Sequence, residues 1–129
     1  MRKIADAPSP ELVALIAQER LPLAARTLVS TFTPKLGGPY PACSRMELAE
    51  FLAEHGQVPK HAYTWRPDRF PDGALARLVI ELVLLWERAG LAARGMSYEI
   101  GEVVLLDAGE AALRQENPHA AVLAALGAR

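Results

Sequence analysis

The sequence predicts a mostly α protein with one small β-hairpin, an α+β fold of five to six helices. Three observations carry that expectation. Apolar residues recur at helical spacing through most of the chain, and prolines and glycines stand between those runs rather than inside them. Only one region, "SYEI" and "VVLL" around Gly101 and Glu102, has the β-prone composition of paired strands joined by a tight turn.

The first helix starts at Ser9, followed by proline at the first helical position and then Glu11 near the positive end of the dipole. Leu12, Val13, Leu15 and Ile16 form its apolar face. Pro22 is expected to open a second helix carrying Leu23, Leu28, Val29 and Phe32, which Pro34 bounds. "PKLGGPYPAC" then reads as a loop. Ser44 and Glu47 have the spacing of a capping box, which predicts a third helix over 45–55. Gly56 is expected to end it in the left-handed conformation. The stretch "QVPKHAYTWRPDRFP" has three prolines and no sustained period, so it reads as a long loop, a kind often functional in compact domains.

Asp72 is expected to cap a fourth helix over 73–89, with Gly90 as its end. Leu75, Leu78, Val79, Ile80, Leu82, Val83, Leu84, Leu85 and Trp86 leave it apolar nearly all round, the mark of a helix buried on more than one side. After the hairpin, Asp107 and Glu110 repeat the capping spacing and open a fifth helix. Asn117 and Pro118 end it and start a last one over 118–126. At 129 residues the chain is read as one domain, with a helical part over 9–33, a central part over 44–116 and the closing helix.

Composition removes several classes of function. Fourteen basic and fifteen acidic residues give a formal charge of −1, so no overall positive field recruits nucleic acid. A single cysteine, Cys43, forms no internal disulfide and fits a reducing compartment. The apolar run Leu78 to Trp86 is interrupted by Glu81 and falls short of the ~20 residues that span a bilayer. The N-terminus lacks the apolar core of a signal peptide. A cytoplasmic protein without membrane association is expected. His55, His61 and His119 stand at no metal-ligand spacing, and no phosphate-binding glycine loop is present. Neither a cofactor nor catalysis is expected.

The order helix, helix, buried helix, hairpin, helix is that of a winged helix-turn-helix domain. "LLWERAGLAARG" followed by "YEIGEVVLLDAGEAAL" resembles the second half of the MarR- and PadR-like regulators. There an A-G-L turn ends a helix, a wing hairpin follows, and a strand enters a helix through an L-T-x-x-G-x-x-x-L type sequence. The matching residues are Ala89-Gly90-Leu91, then Leu105-Leu106-Asp107-Ala108-Gly109 with Leu113. Leu106 stands where the family has threonine, and the loop before the fourth helix is far longer than a helix-turn-helix turn.

The resemblance implies a DNA-binding transcriptional regulator acting as a dimer on double-stranded DNA. Arg77 would face the groove, and Lys60, Arg66, Arg69 and Arg94 would contact phosphates. Tyr63 and Trp65, interleaved with the loop cations, would stack on bases or else anchor the loop to the core. Against this stand Glu81 and Glu87 on the reading helix and Glu99 and Glu102 on the wing, which repel phosphate. The alternative is a winged helix used as a protein-interaction module, an adaptor or accessory subunit that does not bind DNA. The apolar excess of the helices leads to the expectation of a homodimer in either case.

Overall fold

The computed structural model describes residues 9–32, 42–59, 74–95 and 102–127. Within them the fold is α1 (Pro10–Ile16), α2 (Arg20–Thr31), β1 (Ala42–Ser44), α3 (Arg45–His55), α4 (Ala74–Arg88), β2 (Ala92–Arg94), β3 (Glu102–Leu105), α5 (Asp107–Leu113) and α6 (Pro118–Gly127). It is the mostly helical α+β architecture that the sequence predicts, with a small antiparallel sheet in the order β1-β3-β2.

Local chemistry sets three of the helix starts. The Ser9 hydroxyl accepts from the Leu12 N–H, and Ser44 and Glu47 complete the reciprocal capping box at α3. The Asn117 side chain accepts from the Ala120 N–H at 3.1 Å and so caps α6. Two starts differ from expectation. Helix α2 begins at Arg20, ahead of Pro22, because a proline in the first turn removes only an N–H that has no intrahelical partner. At α5 it is Leu106 that occupies the cap position, with no side-chain cap bond, and Asp107 stands in the first turn. The expected Asp72 cap lies outside the described residues.

The end of α3 is also resolved differently. Gly56 is right-handed at φ −82°, and Gln57 takes the left-handed conformation at φ 57°. The Val58 N–H reaches back to the Ala53 carbonyl at 2.8 Å, which closes the helix end in a Schellman arrangement. Gly56 is small for another reason: a Cβ there would lie 3.3 Å from three Leu15 side-chain atoms, where α1 meets α3. Replacing Gln57 by glycine relieves the left-handed strain, so Gln57→Gly is expected to stabilise the protein by about 0.5–1 kcal/mol in urea unfolding.

The sheet departs most from the sequence reading. "PKLGGPYPAC" contributes a strand in its last residues, since Ala42, Cys43 and Ser44 pair with Val104, Val103 and Glu102. Strand β3 pairs with Ala92–Arg94: Ala92 pairs with Leu105, Ala93 with Val104 and Arg94 with Val103. "SYEI" and the turn expected at Gly101 lie outside the described residues. Gly90 causes the early pairing. At φ 74° it reverses the chain directly after α4, so Leu91 bonds back to the Trp86 carbonyl at 2.9 Å and Ala92 enters the sheet at once.

The buried apolar side chains form one cluster fed by every helix except α5 and by β2 and β3, and α5 packs Ala112 and Leu113 against it. Helix α4 is its axis, with Leu75, Leu78, Val79, Leu82, Val83 and Trp86 turned inward. Trp86 is completely buried, donates from Nε1 to the Ala24 carbonyl at 3.0 Å, and meets Phe32 edge-on at 5.9 Å. Helix α6 lies along α2. No helix among the described residues is long and apolar enough to cross a membrane.

Candidate functional site

Burying six residues of α4 fixes which of its side chains face outward. The outer stripe is Arg77, Ile80, Glu81, Leu84 and Arg88, spaced as one helix face. Ile80 and Leu84 are 45% and 44% exposed. A helix read from sequence as apolar nearly all round and buried on more than one side thus keeps one exposed stripe, and it offers two large apolar residues there. Leu21, 38% exposed at the start of α2, continues this surface. Beside it a groove of about 510 Å³ is lined by Leu21, Leu85, Arg88, Ala89, Leu126 and Gly127.

One charge on this face, Glu81, is engaged by a neighbouring helix. Arg20 donates from Nε to Glu81, and its Nη1 donates to the Ile16 and Gln18 carbonyls at 2.6 and 2.7 Å. A cation at the first position of α2 opposes the helix dipole. It is held there because it satisfies the Ile16 carbonyl at the end of α1 and the Gln18 carbonyl just beyond it while tying them to α4. Sequence reasoning did not single out Arg20, since its partners lie 61 residues away and on an adjacent helix end. Its only local signal is a cation where a helix start favours an acid.

Arg94, expected on phosphate, is bound to Glu87. Its backbone N–H donates at 2.8 Å and its guanidinium at 3.0 and 3.4 Å, which clamps the hairpin onto the end of α4. Burial acts to raise the Glu87 carboxyl, but the Arg94 backbone hydrogen bond, its side-chain hydrogen bonds and its charge prevail, so the group lies below the ordinary carboxylate range. A carboxyl depressed on folding adds stability above its unfolded pKa, and that stability is lost as pH falls through the lower folded value. Glu87→Gln is therefore expected to lower stability at neutral pH, with the gap to the parent chain closing in acid below the folded pKa. Urea midpoints across pH read this directly.

Of the predicted DNA contacts, Arg77 is exposed on the outer face of α4. Arg88 lies eleven residues further along, about 16 Å away at 1.5 Å per residue. Neither is in an ion pair among the described residues. Between them stand Ile80, Glu81 and Leu84, so Arg77 has no second cation at helical spacing beside it. Lys60, Tyr63, Trp65, Arg66 and Arg69 lie outside the described residues. Cys43, read as a loop or helix-start residue, is half-buried in β1. Among the described residues no group of three metal-ligating side chains comes together. No protein-family model, curated protein or solved structure matches this chain.

Proposed function

We propose that the chain is a winged-helix-like interaction module whose outer α4 face associates with protein. The observation that carries this is the exposure of Ile80 and Leu84 on the helix that a winged-helix reader lays into the major groove. Groove edges present hydrogen-bonding groups at almost every position, and a helix that reads them needs polar side chains there. A protein interface rewards the reverse, an apolar centre with charged groups at its margin. Ile80 and Leu84 between Arg77, Arg88 and the Arg20–Glu81 pair have that layout. A homodimer is the first form of association to test.

The second reading is the dimeric DNA-binding regulator. The element order supports it, as does the seating of Gly109 against the A-G-L turn at the position the resemblance assigns to glycine. In that case Arg77 enters the groove, with Arg88 and the cations of 60–69 on phosphates.

One pair of measurements separates the two. Molar mass in solution is compared for the parent chain and for Ile80→Glu with Leu84→Glu, and binding to mixed duplex DNA is titrated at low and high salt. The interaction module predicts a dimer that the paired substitutions convert to monomer, and little DNA affinity. Two cations on phosphates give a log–log salt slope of only about −2, whereas a reader making six to ten phosphate contacts shows a far steeper one. A steep slope that Arg77→Ala reduces, with the mass unchanged by the glutamates, would overturn the interaction reading.

A further inference from the structure

Where α1, α2 and α3 converge, the packing leaves an open cleft of about 380 Å³, on the side of α2 marked by Thr27 and Ser30. Its apolar lining is Leu15, Leu23 and Leu52, and Phe51 and His55 stand at its wall with ring centroids 4.0 Å apart. The polar lining is Gln18, Arg26, Thr27, Ser30 and His55. Thr27 is the one buried polar residue of the described core, and it reaches this cleft.

Two features of the lining restrict what fits. First, it contains a guanidinium and no carboxylate. Arg26 donates from Nη2 to the Gln18 amide oxygen, which orients the fork while its other N–H groups remain for a ligand. Second, the leucines make the inner end apolar, and the enclosed space admits only a few heavy atoms. A bare inorganic anion would leave the apolar end unfilled, and a neutral hydrocarbon would leave the guanidinium and hydroxyls without exchange for their water.

We propose that this cleft binds a short-chain monocarboxylate, its carboxylate on Arg26 with Thr27 or Ser30 as hydroxyl donor, its few carbons against Leu15, Leu23 and Leu52. The site is separate from the α4 face and stands whichever partner that face meets. Because the ligand touches α1, α2 and α3 together, binding tightens the junction where Gly56 meets Leu15.

The test uses the full chain, labelled with ¹⁵N and titrated with butyrate at constant ionic strength, with butyramide and chloride as controls. Butyrate is expected to shift the amide signals of Thr27, Phe51 and Gly56 saturably, with a Kd on the order of 1 mM for so few heavy atoms. Arg26→Gln, at an exposed helix position, is expected to weaken binding roughly tenfold or more while the spectrum stays native. Arg114→Gln, at the end of α5 and outside the cleft lining, should leave it unchanged. Equal shifts with butyramide would sink the carboxylate assignment, and equal shifts with chloride would reduce the site to unspecific anion contact. Binding untouched by Arg26→Gln, or no saturable shift at all, would overturn the proposal outright.

Discussion

Gly109→Ala is expected to destabilise the protein by at least about 3 kcal/mol, at the upper end of overpacking effects. A methyl group at this buried position in α5 would sit 2.2 Å from the Leu91 carbonyl oxygen, 3.0 Å from its carbon and 2.7 Å from Leu105 Cδ1. The carbonyl cannot simply withdraw, because the same oxygen accepts the Leu106 N–H at 2.9 Å and so holds β3 to the turn after α4. Elsewhere in a helix the change is favourable by about 1 kcal/mol, since alanine has the higher propensity. The sign is therefore diagnostic. Thermal unfolding should fall by roughly 10 °C or more, given about 4 °C per kcal/mol for a domain of this size. Gly127→Ala is the control: a Cβ there meets nothing within 4 Å, and no loss is expected. A neutral Gly109→Ala would mean that α5 does not rest on the A-G-L turn.

Trp86→Ala should have an effect of similar size, about 3–5 kcal/mol, through the cavity it opens in the core. The indole is fully buried where α2 and α4 meet, its ring edge-on to Phe32 and its N–H on the Ala24 carbonyl. Trp86→Phe separates packing from hydrogen bonding. It keeps an aromatic partner for Phe32 and loses the Ala24 bond, worth about 1 kcal/mol, together with part of the volume. A loss of less than half that of alanine is expected. Equal losses for phenylalanine and alanine would show that the hydrogen bond, not the filled volume, holds α2 on α4. Urea unfolding of the three chains decides it, with the slope checked for constancy so that midpoints report stability.

These two positions differ in how they read before the fold is known. Trp86 is one large apolar residue among nine in α4, and nothing local marks it as fully buried. Gly109 stands out only through its resemblance to a turn motif, and its physical reason, the approach of Leu91, comes from a segment eighteen residues earlier. The site divides similarly. Arg77 was singled out only through the resemblance, and it is exposed. The engagement of Arg94 by Glu87 was not legible in the sequence, because it depends on β2 starting at Ala92 and bringing its last residue back along α4.

The sequence by itself determined the class of fold and the starts of α1, α3 and α6, because caps and first-turn prolines act within four residues of the bonds they make. Ser9, Ser44 with Glu47, Gly90 and Asn117 all do in the structure what their neighbours require. Only the tertiary structure decided the strands and the outer face of α4. Strands such as Ala42–Ser44 and Ala92–Arg94 have little β-propensity of their own; they are extended because β3 supplies the opposite backbone groups on both sides. Likewise Ile80 and Leu84 are as apolar as Leu82 and Val83, and periodicity alone leaves all four on a helix without an obvious outside. Which of them face outward was settled by where α2, α3 and the hairpin pack, since burial belongs to neighbours in space and not to the residue.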